Sequence, residues 1–144
     1  MSAISQISLA KVPAIGTLPE PLQEIILSDV LTLLKSIHRM QKEGALRGPF
    51  LFTSNLKYAD DIWHEFILNT RAYVKFCNDQ FGEYMHHEPA ESPTGELAKI
   101  QTDDIVKMVD NQIALLQEYN GTEFANKIYT LYPTLIKGLS NENI

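Results

Sequence analysis

Apolar residues recur at three- and four-residue intervals through most of this chain. Leu22, Ile25, Ile26, Val30, Leu33, Leu34 and Ile37 make the first stripe, and that spacing keeps side chains on one face of an α-helix. Pro19 and Pro21 introduce it, because a first helical turn tolerates residues that lack an N–H, and Gly44, Gly48 and Pro49 end it. The pattern predicts a helix over about residues 20–43. A second helix starts near Ser54, a good N-cap, and runs to Phe81 and Gly82, where glycine can supply a left-handed C-terminal turn. Thr102 followed by Asp103 and Asp104 opens a third, with acids at the positive end of the helix dipole. Its stripe is Ile105, Met108, Val109, Ile113 and Leu116, and Asn120 and Gly121 break it just after Tyr119. Thr122 caps a short fourth helix with Phe124, Ile128 and Leu131, which is expected to stop before Pro133.

Between these helices, residues 86–101 read as a linker, with Pro89, Pro93 and Gly95. Residues 1–18 carry one charge, Lys11, and read as an extended arm, ordered only where it packs against the body. Strand-like alternation is nearly absent, and no repeat or low-complexity tract is present. The expected architecture is all-α: an N-terminal arm over residues 1–18, then a single helical domain over residues 19–140, a bundle of about four helices.

Composition narrows the partners. At 144 residues the chain is long enough to bury a core without disulfides or a structural metal. Its net charge is −6, from 12 Lys and Arg against 18 Asp and Glu, and no basic run offsets it. Binding a phosphate backbone rests on clustered cations, so nucleic acid is excluded as a partner. One cysteine permits neither an internal disulfide nor a CxxC pair. No basic segment followed by an apolar one opens the chain, and no apolar run approaches the ~18 residues of a membrane span. The expectation is a soluble, cytoplasmic protein with no membrane partner; a protein partner stays open.

The chemistry concentrates in residues 58–89, which hold three of the four histidines, the only cysteine and the only tryptophan. Read as one helix at ~100° per residue, residues 60–78 separate two faces. Ile62, Trp63, Phe66, Ile67, Thr70, Tyr73, Val74, Phe76 and Cys77 share a broad apolar arc, so this helix is expected to be the most buried, with Cys77 a structural thiol and the polar tips of Trp63 and Tyr73 finding partners. Asp60, His64, Leu68, Arg71 and Lys75 share the other face. Asp60 stands four residues before His64 and could fix its tautomer while leaving the second ring nitrogen free, as carboxylates do behind metal-bound histidines; a solvated Asp–His pair is the plainer alternative. Asp60, Asp61, His64, Arg71 and Tyr73 are the candidate ligand-binding residues. His64, His86 and His87 are the candidate donors for a divalent metal ion, although one of the paired histidines could instead cap the helix carbonyls. His38 reads as solvated. His64 and Glu65 do not open an HExxH motif, because residue 68 is leucine, and neither a phosphate loop nor a GxSxG elbow occurs. Asn120-Gly-Thr122 fits a glycosylation sequon but reads as a turn. On one straight helix His64 would lie about 27 Å from Gly82. Convergence with His86 or His87 therefore requires either a break near Cys77, Asn78 and Asp79 or a linker that folds back.

Asp60 and Asp61, Trp63-His64, Thr70-Arg71, Tyr73, Phe76-Cys77, Phe81-Gly82 and His86-His87 with Pro89 together resemble the motif block of the glycine-rich domain-containing protein-like family. That family includes small bacterial stand-alone domains and larger plant proteins, and the resemblance covers about residues 55–90. The plant pattern has a second histidine two residues after the first, where this chain has Phe66. The resemblance implies a domain type and a shared polar site near His64, without defining a reaction.

Overall fold

The first stripe forms α1, Glu20–Lys42, in a computed structural model that describes residues 15–46, 49–86 and 102–142. A 3-10 turn, Ser54–Leu56, leads into α2, Lys57–Leu68, and α3 follows at Thr70–Phe81. Next come α4, Thr102–Asn120, and α5, Thr122–Asn126, which continues through a π turn, Lys127–Leu131, into α6, Tyr132–Glu142. No strand occurs among the described residues. The all-α expectation holds, with five helical rods rather than about four, because the expected second helix divides at Asn69.

Asn69 has φ −87° and ψ 75°, outside the helical region. Its N–H reaches back to the Phe66 carbonyl at 3.0 Å, and its own carbonyl accepts from Tyr73 N at 2.9 Å to start the next helix. Asparagine suits such a point because its side chain competes for backbone hydrogen bonds. No break forms at Cys77, Asn78 and Asp79, one of the two alternatives for bringing His64 and the His pair together. The carbonyls of Cys77 and Asn78 instead accept from Gly82 N at 3.1 and 3.2 Å, and Gly82 takes the left-handed conformation, φ 73°.

The helix at the centre is α1, with ten buried residues against five in α2 and three in α3. It was the corner pair that the wheel expected there. Ile26, Val30, Leu33, Leu34, Ile37 and Met40 share one core with Ile62, Trp63 and Phe66 of α2 and Tyr73, Phe76 and Cys77 of α3. Leu116 and the π-turn residues Ile128 and Tyr129 complete that core. Of the expected apolar positions, Ile25 at 53%, Val74 at 42% and Leu131 at 42% are exposed, as is Thr70. Val74 and Thr70 fall outside because the wheel restarts its phase at Thr70. Residues 15–18 do not extend as an arm. Ile15 and Leu18 are buried, a 3.1 Å bond from Leu18 N to Ile15 O closes the turn, and the Gln23 amide holds the Leu18 carbonyl at 2.7 Å. The rest of the expected arm, residues 1–14, lies outside the described residues, as do residues 87–101 of the linker.

Buried side chains stitch segments that are distant in sequence. Gln112 of α4 accepts from Leu51 N at 2.9 Å and donates to Leu51 O at 2.8 Å, so it pairs with the loop before α2 as a strand would. It also donates to the Tyr129 hydroxyl at 3.0 Å, whose ionisation burial pushes up to about 12. Ser36 of α1 donates to the Asn120 side chain at 2.6 Å and ties α1 to the end of α4.

The last rod does not stop at Pro133, and the π turn shows why. Proline has no N–H and crowds the carbonyl four residues earlier. The helix widens by one residue ahead of it, so that Tyr132 N bonds the Lys127 carbonyl. Ile128 O then has neither Tyr132 N, already engaged, nor an N–H on Pro133. The buried Tyr58 hydroxyl donates to it at 2.7 Å, and Asn55 reaches the next carbonyl, Tyr129 O, at 3.4 Å. Burial, with the neighbouring Tyr132 and Asp29, holds the Tyr58 phenol well above its ordinary ionisation range, so it stays a donor. Tyr58→Phe strands that carbonyl, and a buried unsatisfied acceptor costs about 1–3 kcal/mol. The expected result is a loss of that size in urea unfolding, with helical content by circular dichroism unchanged.

Candidate functional site at the corner of α2 and α3

Trp63 sits midway along α2 and Tyr73 in the first turn of α3. The Trp63 indole N–H donates to the Tyr73 oxygen at 2.9 Å, and the Tyr73 hydroxyl donates to the Met85 carbonyl at 2.5 Å. Trp63, Tyr73 and Met85 are all buried, and Phe66 packs its ring against the edge of Tyr73 at 5.1 Å. Burial is the main cause that lifts Tyr73 above its ordinary ionisation range. The Trp63 hydrogen bond opposes this, and the adjacent Cys77 thiol adds to it. The phenol therefore stays neutral and donates. The polar tips of Trp63 and Tyr73 do find partners, as expected, and the partner of each includes the other.

After Gly82 the chain reverses and runs back along α3. Glu83 accepts from His38 Nε2 at 2.8 Å and from Lys42 Nζ at 3.1 Å, both on α1. The His38 ring stacks on Phe81 at 4.2 Å. Tyr84 lies edge-on to Tyr73 at 5.3 Å, and the His86 ring lies 4.7 Å from Tyr84. The segment up to His86 thus folds back along α3. His38 is not solvated, as its spacing on α1 suggested: its side chain is 13% exposed. Its partners lie more than 40 residues ahead, so no local pattern announces them. The Gly82 N–H serves the Cys77 and Asn78 carbonyls at the end of α3, and His86 lies against the Tyr84 ring.

The other candidate residues are distributed around this corner. Asp60 is partly buried and engaged by a neighbour. Asp61, also partly buried, pairs with Lys57 one turn earlier at 3.4 Å. His64 is exposed, one turn beyond Asp60. Arg71 is exposed on α3 and borders a shallow groove of about 490 Å³ with Thr70, Val74, Lys75, Asn78 and Asp79. Because α2 ends before it, Arg71 no longer continues the line of Asp60 and His64, which the single-helix wheel required. His86 is exposed beside Tyr84, and His87 lies outside the described residues. Among the described residues, no three of His, Cys, Asp and Glu are grouped so as to hold a metal ion.

Glu83 is the titrating tether of this corner. The His38 hydrogen bond, and after it Lys42, hold its carboxyl below the usual carboxylate range. A depressed folded-state pKa contributes stability above the unfolded value and loses it as pH falls through the folded one. The contribution of Glu83 is thus complete at neutrality and is lost as pH falls from the ordinary carboxylate range through its lowered folded-state value. Unfolding titrations of wild type and Glu83→Gln should differ at pH 7 and converge in acid once the Glu83 carboxyl is protonated in both folded and unfolded chains.

The sequence model of the UCP032817-like family matches residues 28–108. The matched span takes in most of α1, all of α2 and α3 and the chain reversal after Gly82, so every part of this corner falls within it. A comparison with curated proteins and one with solved structures each returned no match. On a match that covers more than half of its length, the chain belongs to the UCP032817-like family.

Proposed function

We propose that the corner of α2 and α3 is a binding site for a small polar ligand, formed by Asp60, Asp61, His64, Arg71 and Tyr73 with His86 at its edge. The observation that carries this reading is the Tyr73–Met85 hydrogen bond, which returns the segment ahead of the paired histidines to the tyrosine that bonds Trp63, the neighbour of His64. The resemblance of residues 55–90 to the glycine-rich domain-containing protein-like block supports the same location. Two carboxylates and an imidazole suit a ligand that offers hydrogen-bond donors, with Arg71 available to an acidic group on it. A divalent ion would need His87 as a further donor beside Asp60 and His64, since the described residues alone supply no such group. No helix among the described residues is long and apolar enough to cross a membrane, and the net charge of −6 disfavours nucleic acid. The reading is of a cytoplasmic binding domain over residues 19–140, with its single thiol buried.

One observation favours a second reading, a non-catalytic protein-interaction module. Of the six large apolar residues exposed among the described ones, Leu68, Val74 and Tyr84 all belong to α2, α3 and the reversal between residues 82 and 86.

Thermal unfolding against a panel of small polar metabolites, Zn²⁺ and EDTA separates these. A ligand at a hundred times its dissociation constant stabilises the fold by about 2.7 kcal/mol, a shift of several degrees. His64→Ala and Asp60→Asn should each weaken that ligand at least about ten-fold, the loss of one good charged hydrogen bond. His64 is exposed, so His64→Ala should leave the unliganded midpoint almost unchanged. A shift that survives both substitutions locates the ligand elsewhere. No shift with any compound, together with self- or partner association lost in Leu68→Ser, supports the interaction module.

A further inference from the structure

Residues 82–86 cross the corner as a short strap with two unlike attachments. At one end Glu83, its side chain 47% exposed, is held by His38 and Lys42 of α1. At the other, Met85 is 5% exposed and its carbonyl accepts from Tyr73. Between strap and helix stands Gly82, at φ 73°, with nothing within 4 Å of the position a Cβ would occupy. Having no side chain, glycine changes its backbone angles there at little steric cost. The strap touches Tyr73, 1% exposed, through the Met85 carbonyl and the Tyr84 ring, and Cys77, fully buried, stands one turn further along α3.

We propose that residues 82–86 form a hinged lid over Tyr73, held shut by Glu83 on His38 and Lys42, and that a ligand oxygen takes the place of the Met85 carbonyl when the lid opens. The exchange conserves hydrogen bonds. Trp63 keeps donating to the Tyr73 oxygen, and the Tyr73 hydroxyl passes from the backbone carbonyl to a carbonyl or carboxylate oxygen of the ligand, so no buried donor is left unpaired. The Lys42–Glu83 contact is of the kind that opens readily, because an ion pair between exposed side chains holds only weakly. Buried Met85 supplies the rest of the closing force and sets the lid population low. The ligand half of this proposal rests on the binding site proposed above. The lid half does not.

The chain's only cysteine makes the opening measurable, since its thiol can react only when the lid lifts or the fold opens. The experiment is the rate of Cys77 labelling by iodoacetamide at one fixed pH on the full chain, with the unfolding equilibrium measured in parallel. Glu83→Gln should label about two- to five-fold faster than wild type, the effect of losing an exposed ion pair, and faster than its change in global stability accounts for. Lys75→Gln breaks a comparable exposed pair with Asp79 on α3 that does not touch the strap, and should label at the wild-type rate. Lys42→Met removes the second partner of Glu83 and should act in the direction of Glu83→Gln, which keeps the test intact if one variant fails to fold. Equal rates in wild type and both tether variants would overturn the lid, as would acceleration that merely tracks global unfolding. Accelerated labelling with no ligand found for the corner would leave the lid standing and remove the binding site instead.

Discussion

A phenol buried at the centre of a helical corner must have its hydroxyl satisfied, and Tyr73 meets that demand with groups from two other segments. An unpaired buried hydroxyl costs more than most single contacts return. The partners of Tyr73 are the Trp63 indole, ten residues earlier, and the Met85 carbonyl, twelve residues later. On one continuous helix Trp63 and Tyr73 would stand about 15 Å apart along the axis. The hydrogen bond between them therefore exists only because the helix breaks at Asn69. The bond to Met85 likewise exists only because the chain reverses at Gly82. One hydroxyl thus fixes the angle of α2 and α3 and the path of the strap, and everything proposed for the corner follows from that geometry.

The same logic operates on the other side of α1. Pro133 removes a donor from the last rod, the π turn absorbs the mismatch, and Tyr58 and Asn55 serve the carbonyls it releases. Gln112 does so for both backbone groups of Leu51. Among the described residues, no buried side-chain nitrogen or oxygen lacks a partner. Apolar burial along α1 supplies the bulk of the stabilisation, while these few polar contacts decide which of several compact helix arrangements the chain adopts.

Features with a local signal were legible in the sequence. Proline, glycine and the acids after Thr102 mark the limits of α1 and α4 to within a residue or so, and Gly82 and Gly121 are the left-handed and breaking positions that their neighbours suggested. The break at Asn69 was not legible. Asn78 and Asp79 carry the same local preference, and only the pairing of Trp63 with Tyr73 selects between them. Once Asn69 is missed, a wheel drawn through it misplaces Thr70, Val74 and Arg71. Pro133 misled for a related reason, because the donors that let the helix pass it lie more than 70 residues away. Within the site, Trp63 and Tyr73 announced that they needed partners, but the sequence did not name them, and the role of His38 was hidden because its partners follow it by more than 40 residues.

The Trp63 indole proton reports on the central interaction most directly. As the only tryptophan in the chain, Trp63 gives a single indole N–H resonance. Its hydrogen exchange should be slow in the wild-type protein, because the group is buried and bonded. In Tyr73→Phe the resonance should shift and its exchange should accelerate by at least about ten-fold, with helical content retained. An indole proton that exchanges as fast as in an exposed tryptophan, or one that neither moves nor accelerates in Tyr73→Phe, would contradict the hydrogen bond on which the corner depends.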